Sequence, residues 1–568
     1  MVVARIAFVC SLFAIVSFAA AQNGDHDRAL EARITRIRAD EQALERRYDV
    51  PFSERRMRRF EEFFDSELQE LAALDYDAFG VSGRVDWHAL HSELVHRRDL
   101  LRLEDKQVRE VLDALPCLDD LVPLFEARED VLPVHAKDVA ARIDTFALDV
   151  TAASAIAATL QSLPQTVRAR AARLTERTSR TLGEYYRFRA GYDPQFSWWV
   201  AKPYETAAGA LRGLAGTLRS TSDRTGGGDP TLIGDPIGDE ALTQALRHAW
   251  IPYTASELIE IARREFAIVQ DLRTKAAKAL GFDDWREAQE KVKDSYVDPG
   301  EQPELIRSLA NEAIEWVTSR DLVTVPPLAR ETWRMTMLSP ERQLVSPYFL
   351  GGEVIQVSYP TDTMDHAHKL MSMRGNNPAF SRATVQHELI PGHHLQQFMN
   401  ARYKPYRSMF GTPFWIEGWC LWWELHLFDL GFPKTKEDEI GMLFWRAHRC
   451  ARIVFSLEFQ LGNWDAQKCI DFLVAEVGHE RRNATAEVRR SIGGAYGPLY
   501  QAAYLLGGLQ FRALHEELCK PGNEGAWSDR DFHDRILREN TLPIELLRAI
   551  LTGAKLEKSA KPTWRFAG

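Results

Sequence analysis

The side chains best suited to chemistry lie in one short string, residues 386–394, which reads QHELIPGHH. Imidazole nitrogens are common protein ligands of zinc, and a glutamate beside a zinc-binding histidine can act as a general base toward water. His387 and Glu388 form such a pair, two further histidines end the string, and Glu417 follows later in the chain. These residue types predict the active site of a zinc-dependent hydrolase, with a peptidase as the preferred class.

The spacing of the histidines departs from the usual pattern. In an H-E-x-x-H helix the two histidines lie four residues apart and share one face, but here Pro391 occupies that position. On an ideal helix His393 would point away from His387, and His394 would lie roughly 10 Å further along the axis. Proline and glycine distort helices, so Pro391 and Gly392 predict a local bulge that rotates His393 back toward the metal.

A second segment, residues 413–424, is apolar and aromatic apart from Glu417 and Glu424. Glutamates seven residues apart share one helix face, and burying them without a partner would cost several kcal/mol. A metal ion is the preferred partner of Glu417, whereas a cation and an ion pair with an arginine are both open for Glu424. The arginines available for such a pair are Arg446, Arg449 and Arg452.

These two segments carry a resemblance to known families. Residues 416–419 (IEGW) look like the segment that supplies the third ligand, a glutamate, in gluzincin zinc peptidases. Gly392 and His393 resemble the glycine–histidine pair of the thimet oligopeptidase and thermostable carboxypeptidase families, where that histidine is the second ligand. More closely, the chain resembles the bacterial family called domain of unknown function 885, whose members carry H-E-x-x-P-G-H-H and then E-G-W. That resemblance covers most of the chain and includes residues 500–507 and 532–534.

The resemblance implies a role for each site residue. It implies that His387, His393 and Glu417 bind one zinc ion per chain, and it favours His393 over His394. It further implies that a tyrosine near the C-terminus stabilises the developing oxyanion. Tyr504 is the expected residue. Tyr500, four residues earlier on the same helix face, is held in reserve, with core packing as its preferred role.

Three other residues bear on the site. His533 and Arg489 are minor candidates for binding a substrate terminus. Relatives in the resembled family often carry a histidine within residues 455–462, where this chain has Gln460. This departure bears on specificity or rate and leaves the three expected zinc ligands unchanged.

Hydrophobic periodicity predicts a mainly α protein, a large multi-helix peptidase fold with a small β-sheet next to the metal-binding helix. Thr254 and Glu257 form a capping box that opens a helix running to about residue 280. The best strand is residues 354–359. In gluzincins such a strand pairs with an extended substrate; a plain structural hairpin is the alternative here.

The N-terminus predicts export. Residues 1–21 combine a short charged segment, an apolar run and a small-residue cleavage site, which together indicate a signal peptide. Cys10 lies inside the apolar run, so it does not mark a lipid-attachment site. We therefore expect a periplasmic or extracellular protein with no stable membrane span. The predicted organisation is a helical region at 22–225, a Gly/Pro linker at 226–238 and a catalytic helical region at 239–568.

Bulk composition indicates the general class of protein. The chain has 568 residues, 45% of them hydrophobic, which suits a large globular protein with a sizeable core. A net charge of −10 argues against binding nucleic acid. The five cysteines after the signal segment show no C-x-x-C spacing and are expected to be isolated buried residues, although one disulfide is possible. The sequence leaves the oligomeric state open.

The predicted activity is hydrolysis of short-peptide amide bonds by a zinc-activated water, with Glu388 as general base and Tyr504 as electrophile. A zinc hydrolase of non-peptide amides or esters would have the same ligands. A zinc-containing peptide-binding protein without turnover is a third alternative, but it would not need Glu388.

Overall fold

A computed structural model describes residues 2–156, 160, 162–220, 232–343, 348–494, 496–522 and 525–567. It describes side chains from residue 24 onward, residue 220 apart. The side chains of the predicted signal peptide and residues 226–231 of the predicted linker therefore lie outside the described residues, and both features stay predictions.

Helices make up 73% of the structure, which confirms the mainly α prediction. The first helices are α1 (Val2–Arg47), α2 (Glu54–Ala72), α3 (Val81–Ala114), α4 (Val122–Glu129), α5 (Ala136–Ala155), α6 (Gln165–Arg189) and α7 (Pro194–Ser220). They are followed by α8 (Gly238–His248), α9 (Ala255–Ala279), α10 (Trp285–Lys293), α11 (Gln302–Ser319) and α12 (Pro327–Thr332). The predicted capping box opens α9, with both of its reciprocal hydrogen bonds formed.

The remaining elements include the helices that carry the candidate histidines and glutamates. They are β1 (Arg334–Met337), α13 (Pro340–Gln343), β2 (Val354–Val357), α14 (His366–Gly375), α15 (Pro378–Glu388), α16 (His393–Asn400), α17 (Pro413–Asp429), α18 (Lys436–Gln460), α19 (Ala466–Phe472), α20 (Arg481–Ile492), α21 (Tyr500–Cys519), α22 (Asp529–Glu539) and α23 (Ile544–Thr552).

The chain divides into two compact units. One consists of Thr35–Leu74 and Glu93–Asp235, and within it α5 and α6 both pack on α7. Its core includes the fully buried side chains of Ile143, Leu182 and Leu211. This unit is built from amphipathic helices, as the hydrophobic periodicity of the sequence predicts.

The other unit consists of Met1–Ile34, Asp75–Ser92 and Pro236–Gly568, and it holds every candidate site residue. Helix α17 packs along α21, while α18 packs against α9, α15 and α21. Helix α17 is apolar on all sides, and most of its residues are buried, as expected of a helix without a solvent face. The two glutamates of α17 are therefore held inside the unit.

Two glycines let α17 and α21 touch backbone to backbone. A Cβ on Gly418 would lie 2.6 Å from Gly507 Cα, and a Cβ on Gly507 would lie 2.1 Å from the Phe414 carbonyl oxygen. No larger side chain fits at either position without moving a helix. This crossing brings Glu417, next to Gly418, close to the tyrosines of α21.

The sheet is small, as predicted. Strands β1 and β2 pair in parallel from Arg334↔Val354 to Met337↔Val357. Gln356 of β2 also forms an antiparallel bridge with Leu350, just before the strand, through two backbone hydrogen bonds. Buried Ile355 and Val357 share a core with Val385 and Leu389, which belong to α15 and the turn that follows it. The sheet therefore lies next to the helix that carries His387.

Within the described residues, no helix combines the length and apolarity needed to cross a membrane. The five described cysteines are free, so the disulfide that the sequence left open is not formed.

Candidate metal centre and active site

The two candidate histidines lie on two helices instead of one bulged helix. Helix α15 ends at Glu388 and α16 begins at His393, and the turn between them folds the chain back over the end of α15. The Gly392 N–H donates to the Gln386 carbonyl oxygen at 3.0 Å. A Cβ on Gly392 would lie 1.8 Å from the His387 carbonyl oxygen, so only glycine fits in this turn.

The turn brings His387 and His393 onto one carboxylate. Their ring centroids are 5.0 Å apart. Glu417 Oε2 lies 3.5 Å from His387 Nε2 and 3.2 Å from His393 Nε2. With bonds of about 2.0–2.2 Å, ligand atoms of a tetrahedral zinc site are separated by about 3.4 Å. The three side chains are also buried, at 2%, 8% and 4% exposure, so the donor set fits one zinc ion.

His394, the other candidate, faces elsewhere. Its Nε2 lies 2.7 Å from the carbonyl oxygen of Ala329. It cannot reach the point where His387 and His393 converge without giving up this contact. The structure thus places the expected ligand, His393, and not His394, beside His387 and Glu417.

Cys420 is a neighbour of the histidines that the sequence did not mark. The ligand atoms of His387, His393 and Cys420 all lie within 4.8 Å of one another. Burial, assisted by the charges of Glu417 and Glu388, raises the pKa of the Cys420 thiol well above its usual value. Glu417 Oε2 lies 3.2–3.5 Å from both imidazoles and carries the charge that a metal needs, so Glu417 remains the candidate for the third ligand.

Glu424 holds His387 from behind. Its Oε1 lies 2.6 Å from His387 Nδ1 and accepts a hydrogen bond from Arg449 Nη2 at 3.1 Å. Burial alone would raise the pKa of Glu424, but Arg449 and His387 outweigh burial and lower it. The arginine partner left open by the sequence is therefore Arg449, and the same carboxylate fixes His387 with Nε2 directed at the metal position.

Glu388 lies in the cavity beside this centre. Burial is the largest influence on its carboxyl group and raises its pKa, with Glu417 adding to the effect and His387 and His393 opposing it. A Cβ on Gly351 would lie 2.2 Å from Glu388 Oε2, so the segment before β2 closes tightly over this carboxylate. A carboxylate with a raised pKa is suited to accept a proton from water.

The cavity has a volume of about 240 Å³. Its walls combine the metal-facing residues with aromatic and cationic side chains. They are Tyr348, Phe349, Leu350, Gly351, Thr384, His387, Glu388, His393, Gln397, Ile416, Glu417, Trp445, Arg449, Arg452, Arg490, Tyr496, Tyr500 and Tyr504.

Both predicted tyrosines line this cavity. The Tyr504 ring stacks over His387 with centroids 6.1 Å apart, and the guanidinium of Arg452 lies 4.4 Å from its centre. The Tyr500 hydroxyl donates to Glu417 Oε1. Tyr500, for which the sequence favoured a core role, thus contacts a candidate metal ligand directly.

The remaining sequence candidates lie outside the cavity walls. His533 is fully buried, accepts from Trp422 Nε1 at 2.8 Å and contacts the Leu322 carbonyl oxygen. Arg489 is absent from the cavity lining, whereas Arg490 is part of it. Gln460 accepts a hydrogen bond from the Ile237 N–H at the end of α18. The departure at Gln460 therefore does not touch the metal centre.

Sequence reasoning missed the arginines as cavity residues. Arg449 and Arg452 were considered only as ion-pair partners, and Arg490 was not considered. The available signal was their spacing: Arg449 and Arg452 are three residues apart on a helix whose middle is almost entirely buried. Arginines buried at such positions require anionic partners.

Comparison with known proteins gives a family and a fold. The chain has the same fold as two solved structures of candidate lipoproteins. The first, of unknown function and from Shewanella oneidensis, has 15% identity and a TM-score of 0.65, with 91% of this chain and 98% of that chain covered. The second, from Colwellia psychrerythraea, has 14% identity and a TM-score of 0.59, with 94% and 99% covered.

None of the curated proteins compared with the chain matches it. The family model of DUF885, described as a bacterial protein of unknown function, matches residues 35–551. This match spans both units, including all of the metal-centre residues. The chain belongs to the DUF885 family.

Proposed function

We propose that this protein is an exported zinc-dependent metallopeptidase that hydrolyses amide bonds of short peptides. The observation that carries the proposal is the approach of Glu417 Oε2 to both imidazoles, at 3.5 Å from His387 Nε2 and 3.2 Å from His393 Nε2. A buried set of two imidazoles and one carboxylate is typical of catalytic zinc sites, which keep a fourth position free. The local resemblance to gluzincin peptidases agrees with this donor set.

The roles of the other residues follow from their positions. Zinc in such a site polarises a carbonyl oxygen and lowers the pKa of water. Glu388 accepts the proton from the attacking water and delivers it to the leaving amine. Glu424 and Arg449 keep His387 in one orientation and tautomer.

The tyrosines supply the second electrophile that a developing oxyanion needs. Tyr504 lies against His387, and the guanidinium groups of Arg449 and Arg452 lie 4.7 and 4.4 Å from the centre of its ring. Their positive charges favour negative charge at its hydroxyl. The Tyr500 hydroxyl is engaged by Glu417. We therefore assign oxyanion stabilisation to Tyr504 and support of Glu417 to Tyr500.

Two observations support export. Residues 1–21 have the pattern of a signal peptide. Both structural neighbours are candidate lipoproteins, a class that is exported. We propose a periplasmic or extracellular location after removal of this segment.

The test compares the protein from residue 22 onward with its Glu388→Gln variant, using metal analysis and a mixed library of short peptides. We expect stoichiometric zinc in both proteins and cleavage only by the wild type. Zinc without cleavage of any peptide would refute the peptidase proposal in favour of another amide, an ester or binding alone. Absence of zinc from both would refute the metal centre itself.

A further inference from the structure

Three arginines line the cavity, and two of them are already neutralised. Arg449 pairs with Glu424 at 3.1 Å, and Arg452 pairs with Glu487 at 2.7 Å. Among the described residues, no carboxylate oxygen lies within the 4.0 Å ion-pair distance of the Arg490 nitrogens. The charge of Glu487, the partner of Arg452, also acts on Arg490 without direct contact. Arg490 is therefore the cavity arginine that has no carboxylate in direct contact among the described residues.

The surroundings of Arg490 make an unpaired charge costly. Its Nε is buried and has no hydrogen-bond partner among the described residues. Its guanidinium lies 4.8 Å from the centre of the Tyr496 ring, which shields one face from water. A guanidinium in such a place is stabilised by an anion, and a carboxylate matches its planar fork with two parallel hydrogen bonds.

Arg490 is connected to the metal centre through two tyrosines. The Tyr496 ring lies 4.2 Å from the Tyr500 ring, and the Tyr500 hydroxyl donates to Glu417. The cavity that joins these groups has a volume of about 240 Å³, below the 300–1,000 Å³ that is roughly usual for small-molecule sites. A ligand that reaches both Glu388 and Arg490 is consequently small.

We propose that Arg490 binds a carboxylate of the substrate, so that the enzyme acts on short peptides that carry this group near the scissile bond. This inference rests on the proposed peptidase function. Two sources share the required chemistry: the C-terminal α-carboxylate of a short peptide and an acidic side chain. Binding of the α-carboxylate would make the enzyme a peptidase that recognises a free C-terminus. Binding of an acidic side chain would make it selective for aspartate or glutamate.

The test uses three substrates and four proteins. The substrates are Gly-Phe-Ala, its C-terminal amide, and the amide of Gly-Phe-Glu. The proteins are the zinc-loaded wild type, Arg490→Met, Arg490→Lys and the control Arg489→Met, which removes the same charge from the neighbouring position outside the cavity. Circular dichroism of each variant verifies the fold.

We expect the wild type to hydrolyse the peptides that carry a carboxylate and to discriminate against the Gly-Phe-Ala amide. Arg490→Met should raise KM for the preferred peptide on the order of 10- to 100-fold, as expected for loss of a charged hydrogen bond, with a smaller change in kcat. Arg490→Lys should recover part of this loss because lysine keeps the positive charge but cannot form two parallel hydrogen bonds with a carboxylate. Arg489→Met should behave like the wild type.

The substrates separate the two sources of the carboxylate. Selective hydrolysis of Gly-Phe-Ala assigns Arg490 to the C-terminus, and hydrolysis of the Gly-Phe-Glu amide assigns it to an acidic side chain. Equal hydrolysis of all three peptides, unaffected by Arg490→Met, would overturn the inference and leave the peptidase proposal intact.

A binding measurement distinguishes failure of the inference from failure of the proposed function. Calorimetric titration of zinc-loaded Glu388→Gln with Gly-Phe-Ala and its amide does not depend on turnover. If the free acid binds more tightly than the amide, and the Glu388→Gln/Arg490→Met double variant loses this difference, the carboxylate site is supported even if no peptide is cleaved. Equal binding of acid and amide would overturn it.

Discussion

Substitution of Glu424 by glutamine should weaken zinc binding without touching a zinc ligand. Glu424 Oε1 lies 2.6 Å from His387 Nδ1, and its charge orients the ring and increases the basicity of the opposite nitrogen. A glutamine oxygen in the same place still accepts a hydrogen bond but carries no charge. Losing such a partner typically lowers metal affinity by about 10- to 100-fold, which corresponds to about 1.4–2.7 kcal/mol.

The same substitution leaves Arg449 without its counter-charge in a buried position, so the apoprotein should also lose stability. Breaking a buried ion pair on one side costs about 3–5 kcal/mol. Glu487→Gln is the matched control, because Glu487 is a fully buried partner of Arg452 that does not contact either metal histidine. It should lose similar stability while its zinc affinity stays within about twofold of the wild type.

The assay is competition for zinc against a chromophoric chelator at neutral pH, with unfolding of the metal-free proteins in urea measured in parallel. A selective loss of zinc affinity in Glu424→Gln is the expected result. Unchanged zinc affinity in Glu424→Gln, or an equal loss in both variants, would refute the role assigned to Glu424.

Two further predictions concern packing and pH. Gly507→Ala places a Cβ 2.1 Å from the Phe414 carbonyl oxygen, so thermal denaturation should show a loss of about 1–3 kcal/mol in the free energy of unfolding. The control Gly216→Ala, whose Cβ would have no atom within 4 Å, should lose no stability. Equal melting temperatures for the two variants would contradict the close helix crossing. Burial lowers the pKa of His479 to about 3, against about 6.5 in an unfolded chain. Because the unfolded chain binds the proton more tightly, the stability that the neutral His479 provides is complete above pH 6.5 and is lost as the pH falls. The free energy of unfolding should decrease by about 2–3 kcal/mol by pH 4.5 from this residue. Urea unfolding of His479→Gln at pH 7 and pH 4.5 should therefore show a smaller acid loss than the wild type, and an unchanged loss would count against a buried neutral imidazole.

Local patterns in the sequence predicted much of the fold. Helix α9 begins at its capping box, and α17 is buried on all sides because its sequence has no polar face. The small sheet next to α15 was also expected, but its parallel pairing was not. Strand pairing depends on residues that lie far apart in sequence, so a single strand pattern cannot reveal its partner.

The chemistry of the site was readable from residue types, but its geometry was not. His387 and Glu388 stood out as a possible zinc ligand beside a possible general base, and Glu417 stood out because a charged group is costly in an apolar helix. The structure replaces the expected bulge with a break between two helices, because Gly392 allows the chain to pass directly over the His387 carbonyl. The spacing alone does not distinguish His393 from His394; the family resemblance favours His393, and the tertiary arrangement places it beside His387 and Glu417.

The cationic wall of the cavity lay beyond sequence reasoning for a related reason. Arg489 and Arg490 are adjacent on α20, and a sequence alone does not show which of them faces inward. Packing of α20 places Arg490 in the cavity wall and leaves Arg489 out of it. The rotation of a helix about its own axis is set by the elements that pack against it. This rotation determines which of two adjacent arginines can contact a ligand.

The most direct test of the central claim is the zinc content and affinity of the wild type, His393→Ala and His394→Ala, measured by mass spectrometry and chelator competition. The account predicts one zinc ion per chain in the wild type and in His394→Ala, because His394 contacts the Ala329 carbonyl. It predicts loss of stoichiometric zinc in His393→Ala. Retention of zinc by His393→Ala, or its loss from His394→Ala alone, would contradict the assignment of the metal centre.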